Sequence, residues 1–392
     1  MIRQLAIITG SRAEYGLLRP LMALVRDHPA TRLQLIVTGT HLEARFGHTV
    51  DAIVDDGYAI DAAVPMPVPE DTPLGIARAM GQGLPGLVET FMRLRPDLLI
   101  MLGDRYEMLC AAQAAMLSNL PLAHIHGGEA SLGTMDESIR HAITKLAHLH
   151  FTAAEPYRNR VIQMGESPSR VWNVGAIGLD AIRGLTLMSR GELEQSLGWE
   201  LGERFFLITY HPVTFDRPHA GQAVAALLGA LERFGDYRLL FTGVNADPGH
   251  EALERPIRHY CHDHPHRAFH VASLGQIRYL SAMKHCAAVV GNSSSGIIEA
   301  PAMDKPTINI GRRQMGRLRA ASVIDCADDI EAISQALAQA ISPGFQAAVR
   351  QTTHPFGDGQ AAERIFSVVR SHPLEDLLIK RFYDLPVPTP YA

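Results

Sequence analysis

At 392 residues the chain is too long for one core of ordinary size, so two α/β domains are the natural expectation. A content of 47% hydrophobic and 20% charged residues is that of a core-forming globular protein. The formal net charge of −5 argues against nucleic acid or an anionic membrane as partner, since both call for a basic surface.

In chain order, Met1–Gly10 reads as a first strand rather than a signal peptide, because its apolar stretch is short and runs straight into Gly10-Ser11-Arg12. No apolar run approaches the roughly 18 residues of a membrane span. Cys110, Cys261, Cys286 and Cys326 lack metal-ligand or disulfide spacing, so a reducing, cytoplasmic setting is expected. Apolar runs at 5–9, 33–38, 97–102, 122–126 and 150–152 suggest one sheet, and runs at 205–210, 237–242, 268–272, 287–290 and 307–310 a second. Continuous rather than alternating apolar runs, separated by helical stretches, indicate parallel strands buried on both faces. The expected fold is α/β with two Rossmann-like, doubly wound domains. Residues 1–184 form the first and 185–365 the second, with 185–198 as linker, while 366–392 pack back on the first.

Ligands of open parallel sheets sit beyond the carboxyl ends of the strands. Here those ends read Gly10-Ser11-Arg12, Gly103-Asp104-Arg105, His126-Gly127-Gly128-Glu129, His211-Pro212, Gly243-Val244-Asn245, Gly291-Asn292-Ser293-Ser294-Ser295-Gly296 and Gly311-Arg312-Arg313. Any one could be a turn or a helix cap; seven together suggest one large polar site between the domains. The serines before Ile297 could simply cap a helix, yet a serine-lined helix N-terminus also suits an anion. Glu299, one turn on, could reach a ribose diol, and Arg12 and Arg313 could bond a phosphate. Neither a Walker A loop nor a Gly-x-Gly-x-x-Gly fingerprint is present, which disfavours a nicotinamide cofactor. The histidine-rich stretch 261–266 has no second ligand cluster beside it, so no metal is expected there. Residues 135–146 form an amphipathic helix with Ile139, Ile143 and Leu146 inward. Asp136 and Arg140 share another face, as a surface ion pair or as part of a site. Asp104, Glu129 and Asp136 then fall on adjacent elements of one domain, as acid–base chemistry on a sugar requires.

These segments together, with Asp136-Glu137-Ser138-Ile139-Arg140-His141 and Arg313-Gln314-Met315-Gly316-Arg317, resemble the hydrolysing UDP-N-acetylglucosamine 2-epimerases of bacterial sialic acid synthesis, from residue 1 to Phe382-Tyr383-Asp384. The resemblance implies a GT-B-like fold, no cofactor, and conversion of UDP-N-acetylglucosamine and water to N-acetylmannosamine and UDP. It implies that Arg12, His211, Ser293, Ser294 and Arg313 grip the diphosphate, that Asn245 and the backbone near Leu274 flank the nucleoside, and that Glu299 holds the ribose. Asp104, Glu129 and Asp136 would be the acid–base set, supported by Arg105 and Arg140, with Tyr15 also lining the substrate. Some relatives carry glutamate where this chain has His126, so the proton transfer falls to His126 or to Glu129. The His-Ile-His-Gly-Gly-Glu form also resembles enzymes acting on UDP-N,N′-diacetylbacillosamine in the legionaminic acid route. A homodimer or homotetramer is the expected assembly.

The implied chemistry starts with departure of UDP from C1, which makes the C2 proton removable and leaves a glycal; hydration then inverts C2. The rivals are the non-hydrolysing epimerase, which returns UDP to the glycal, a GT-B glycosyltransferase, which needs an acceptor groove, and a sensor that binds UDP without turnover.

Overall fold

A computed structural model describes residues 2–44, 47–68, 72–132, 134–211, 220–243, 250–352 and 354–385. The chain divides into two compact units, one of Met1–Glu129, Met135–Ala181 and Phe356–Ala392, the other of Ala130–Thr134 and Ile182–Pro355.

The first unit holds strands β1 (Arg3–Thr9), β2 (Thr31–Thr38), β3 (Ala62–Val64), β4 (Leu98–Leu102), β5 (Leu122–Ile125), β6 (Leu149–Thr152) and β7 (Val171–Asn173). They form a 7-stranded parallel sheet in the order β3-β2-β1-β4-β5-β6-β7. Its helices are α1 (Arg12–Asp27), α2 (Val50–Asp55), α3 (Pro73–Leu94), α4 (Tyr106–Leu117), α5 (Met135–Leu146), α6 (Glu155–Gln163) and α7 (Gly178–Gly184). Every residue of β4, β5 and β6 is buried, because helices cover both faces. One core layer joins Leu5, Ile7, Leu18 and Ile100, and the other joins Ala6, Ile8, Leu99 and Met108.

The second unit follows the same plan. It holds α8 (Arg190–Leu197), β8 (Phe205–Thr209), α9 (Ala220–Glu232), β9 (Arg238–Thr242), α10 (His250–Asp263), β10 (Ala268–Val271) and α11 (Gly275–His285). It continues through β11 (Ala288–Gly291), α12 (Ser294–Ala302), β12 (Thr307–Ile310), β13 (Val323–Cys326), α13 (Ile330–Ile341) and α14 (Pro343–Val349). The 6-stranded parallel sheet runs β10-β9-β8-β11-β12-β13. The last helix, α15 (Ala361–Ser371), belongs to the first unit, where Ala361, Ala362, Ile365, Phe366 and Val369 enter the core layer that contains α1. The first unit thus takes the chain back at Phe356, ten residues before the 366 boundary read from the sequence. The apolar spacing along α15 is what sends it there. The stretch 185–198, read as a linker, contains α8, closed by a Ser189–Glu192 capping box and by Gly198 at φ 63. Leu193 anchors it in the second unit's core.

In both sheets the strand order reverses once, between β1 and β4 and between β8 and β11. Such reversals leave a crevice beyond the carboxyl ends, because the flanking connections depart to opposite faces. Gly10–Arg12 and Gly103–Arg105 lie at the first reversal, and His211 and Asn292–Ser293 at the second.

Candidate active site

In the first unit, Ser11 caps α1 with its hydroxyl accepting from the Glu14 N–H at 3.4 Å. Arg12 follows on the exposed first turn. Tyr15 packs edge-on against His41 and Tyr58 and donates its hydroxyl to Asp56 at 2.5 Å, so that oxygen is engaged within the unit. Burial and the bond to Asp56 together push the Tyr15 phenol up.

Arg140 is the organising group at the ends of β4 and β5. Its side chain is 1% exposed and donates to Asp104 Oδ2, to Glu137 Oε2 at 2.8 Å and to the Glu129 carbonyl at 3.0 Å. One guanidinium therefore ties together the residue after β4, the loop after β5 and the first turn of α5. Asp104 and Glu137 are both carboxylates on Arg140, which turns inward from α5, and the glutamate three residues earlier follows it. Asp136 is half-buried in the same first turn. Glu137 also meets His141 Nε2 at 3.1 Å.

Two histidines of the β5 motif separate in role. His124 is buried on the strand, with Nε2 against the Gly103 carbonyl at 2.8 Å and Nδ1 against Thr144 Oγ1 at 3.2 Å. Burial pushes it down to about 3. His126 leaves the sheet at φ 69, and its Nε2 accepts the Ile177 N–H at 3.3 Å. That bond assigns the proton of neutral His126 to Nδ1, which lies 3.0 Å from Glu129 Oε1. His126 and Glu129, read as alternatives from the sequence, are thus one contact pair. Gly128 makes their loop possible: at φ +78, a Cβ there would stand 2.4 Å from the Tyr157 carbonyl oxygen. Arg105, by contrast, turns to Glu107, with bonds of 3.2 and 3.3 Å.

The second unit gathers a different chemistry. Asn292 is fully buried and spans the β8/β11 reversal, accepting from the His211 N–H at 2.7 Å and donating to the His211 carbonyl at 2.9 Å. Its own carbonyl accepts from Arg313 Nη1 at 3.1 Å and Gln314 Nε2 at 2.8 Å. Burial, reinforced by Arg313, pushes His211 down to about 3. Ser293 caps α12, its hydroxyl near Ser295 Oγ at 3.0 Å, and Tyr279 Oη holds Ser295 Oγ at 2.5 Å. Ser294 opens α12, Glu299 lies one turn further, half-buried, and Leu274 caps α11 beside them. Gly291 is obligatory, since at φ +135 a Cβ would meet the Thr209 carbonyl oxygen at 1.9 Å. Asn245 lies outside the described residues.

Sequence reasoning left out Glu14, Glu107, Glu137, Tyr279, Asn292 and Gln314. The three-residue spacing of Glu137 to Arg140 was the available signal for that pair; a tyrosine sixteen residues from its serine gives none. Among the described residues no group of His, Cys, Asp and Glu could hold a metal ion. In the histidine-rich stretch, His262 faces Asp263 at 3.2 Å and His264 stacks on Tyr260. Also among the described residues, no helix is long and apolar enough to cross a membrane.

A family described as UDP-N-acetylglucosamine 2-epimerase matches residues 23–370. The chain is 35% identical to the GDP/UDP-N,N′-diacetylbacillosamine 2-epimerase (hydrolyzing) of Campylobacter jejuni, over 98% of this chain and 99% of that one. It is 35% identical to polysialic acid biosynthesis protein P7 of Escherichia coli, over 98% of each, and 34% identical to the UDP-N,N′-diacetylbacillosamine 2-epimerase (hydrolyzing) of Legionella pneumophila, over 97% and 99%. Among solved structures, the UDP-GlcNAc 2-epimerase of Neisseria meningitidis bound to UDP-GlcNAc superposes with a TM-score of 0.80 at 15% identity, over 93% of this chain and 99% of that one. The fold is accordingly GT-B-like. Matched along nearly its whole length, the chain belongs to the UDP-N-acetylglucosamine 2-epimerase family, on its hydrolysing side.

Proposed function

We propose that the protein hydrolyses a UDP-N-acetylhexosamine to UDP and the free sugar inverted at C2, by elimination followed by hydration. The observation that carries this reading is the Arg140 junction, which brings Asp104 and the Glu129 loop to one strand edge of the first unit. In the second unit, His211, Ser293, Ser294 and Arg313 take the diphosphate, and Leu274, Asn245 and Glu299 the nucleoside. Preorganised donors at the departing diphosphate stabilise charge as it develops, a contribution of several kcal/mol in a dry site. With C1 electron-poor, the C2 proton passes to a carboxylate, for which Asp104, Asp136 and the His126–Glu129 pair are the candidates. Return of a proton from the opposite face, with water adding at C1, completes inversion and needs a second group. Arg12 and Arg105 supply positive charge from the first unit.

The names of the Campylobacter and Legionella relatives favour UDP-N,N′-diacetylbacillosamine over UDP-N-acetylglucosamine, the sugar expected from the sequence motifs. The test is incubation of the purified protein, which we expect to be a homodimer or homotetramer, with each UDP-sugar, followed by NMR of the products. Release of UDP with the free 2-epimer from the diacetylated substrate is the expected result. Preferential release of N-acetylmannosamine would return the protein to sialic acid synthesis. A UDP-linked 2-epimer would replace hydrolysis with simple epimerisation, and no turnover of either would overturn the proposal.

A further inference from the structure

Ser11-Arg12-Ala13-Glu14 has the Ser-x-x-Glu spacing of a capping box, in which the glutamate reaches back to the N–H of the capping residue. The box at the start of α8 does this in the open: exposed Glu192 accepts from Ser189 N and Oγ, both at 2.8 Å. At the start of α1 the backbone half of the box is kept, but the carboxylate reaches one residue further, to the Gly10 N–H at 2.7 Å. Glu14 is also buried, at 8% exposure. Capping alone does not require that burial, as Glu192 shows.

Glu14 faces a second carboxylate. Glu107, in the first turn of α4, is fully buried and bonded to Arg105, with Asp104 on the same strand end. Gly39 closes the third side at φ +58; a Cβ there would stand 2.8 Å from the Gly10 carbonyl oxygen and 3.1 Å from Glu107 Oε1. His41 follows it, bonded to Thr9 Oγ1 at 3.0 Å and pushed down to about 4 by burial, so it brings no charge at neutral pH. Two buried carboxyl groups thus lie close together with only Glu107 bonded to Arg105, and both cannot ionise without strong repulsion. Burial, and then Glu107, push Glu14 up to about 7.

We propose that Glu14 is a positioning residue for anion binding: its bond to the Gly10 N–H holds the Gly10–Arg12 turn in shape, and the negative charge it gains on ionisation weakens the hold on a diphosphate. The proposal rests on the assignment of Arg12 to the diphosphate made above. The coupling is reciprocal, so a bound diphosphate also favours the neutral carboxyl.

The test measures UDP affinity by calorimetry at pH 6 and pH 8 for the wild-type protein, Glu14→Gln and Glu14→Ala. The terminal phosphate of UDP titrates alike in all three, so the difference between wild type and Glu14→Gln isolates Glu14. Glu14→Gln keeps an oxygen for the Gly10 N–H and is expected to match wild type at pH 6. Wild type then loses up to about tenfold more affinity than Glu14→Gln on going to pH 8, one unit above the pKa. Glu14→Ala is expected to bind UDP about tenfold more weakly than Glu14→Gln at both pH values, the worth of a buried bond near 1.4 kcal/mol. Parallel pH dependence in wild type and Glu14→Gln overturns the proposal while leaving the functional reading intact. Failure of the wild-type protein to bind UDP at either pH overturns both. If Glu14→Ala does not fold, the wild-type and Glu14→Gln comparison decides alone.

Discussion

Replacing Arg140 by methionine removes the guanidinium while keeping the length of the side chain. Arg140 is 1% exposed and serves two carboxylates and one carbonyl. Breaking a buried ion pair from one side costs about 3–5 kcal/mol, because the abandoned charge stays in a poor solvent. Asp104 and Glu137 retain 24% and 22% exposure, so water recovers part of that cost. The Glu129 carbonyl, left without its donor, adds about 1–3 kcal/mol. We expect Arg140→Met to destabilise the first unit by about 3 kcal/mol. The chain's two tryptophans separate the units: Trp172 stacks on Phe151 in the first, and Trp199 on Phe269 in the second. Urea unfolding followed by fluorescence in a Trp199→Phe background therefore reports the first unit. Turnover should fall at least a hundredfold, because the loop carrying His126 and Glu129 loses its tie to Asp104. UDP affinity should stay within a few-fold, since the Asn292 network does not involve Arg140. A loss below about 1 kcal/mol in the Trp172 transition, or unchanged turnover, would refute the reasoning.

Asp104→Asn should abolish turnover with UDP binding nearly intact, and full activity in product assays would remove Asp104 from the chemistry. Arg313→Ala should weaken UDP binding by tenfold or more in calorimetry, and an unchanged affinity would remove it from the diphosphate site. Gly291→Ala should destabilise by about 3 kcal/mol or more, since its Cβ meets backbone at φ +135, whereas Gly296→Ala meets only the Thr307 Cγ2 methyl at 2.8 Å. Thermal midpoints in the reverse order would contradict this. Stability should fall with acid in two windows. His124 and His211, both pushed to about 3, favour the native state while the solvent keeps unfolded histidines neutral; that contribution is lost as pH drops from about 6.5 toward 3. Glu166, buried, is held near 2 by His150, Lys145 and Lys380, and its contribution is lost as pH drops from about 4.5 toward 2. A flat profile between pH 6.5 and 4 would count against the buried neutral histidines.

The architecture was legible because parallel strands covered on both faces leave unbroken apolar runs, as at 98–102 and 205–208. The helix 135–146 was equally plain, with Ile139 and Ile143 recurring on one face. Three strands escaped: β3 and β7 are only three residues long, and β13 is partly exposed and polar at Asp325, so none presents a continuous apolar run. Strand-end position was legible too: Asp104, His211, Ser293 and Arg313 do follow the carboxyl ends of β4, β8, β11 and β12. Partner choice was not legible. The spacing Glu137–Arg140 is as good a helical pair as Asp136–Arg140, and nothing in either shows that Arg140 also reaches Asp104. Glu14 and Glu107 drew no reading from the sequence, since nothing local shows that two helix starts converge on one glycine.

The two units handle buried polarity in opposite ways, and this bears on the division of labour. The first gathers ionisable groups in three places: Asp104–Arg140–Glu137, Glu107–Arg105 with Glu14 close by, and Glu166 with His150, Lys145 and Lys380. Lys380 also donates to the Lys145 and Ala147 carbonyls at 2.7 and 2.6 Å, fastening the chain's C-terminal stretch to the far end of α5. The helix carrying Asp136, Glu137 and Arg140 is thus pinned by ions at both ends. A helix pinned in this way holds Asp136, one of the proposed acid–base groups, in place while a proton moves. In the second unit the network around Asn292 joins His211, Arg313 and Gln314, whose carbonyl in turn accepts from Arg319. None of these groups is a carboxylate, so none repels a departing diphosphate. Under the proposed assignment, acid–base carboxylates in that network would set negative charge beside negative charge, which favours keeping proton transfer on the first sheet.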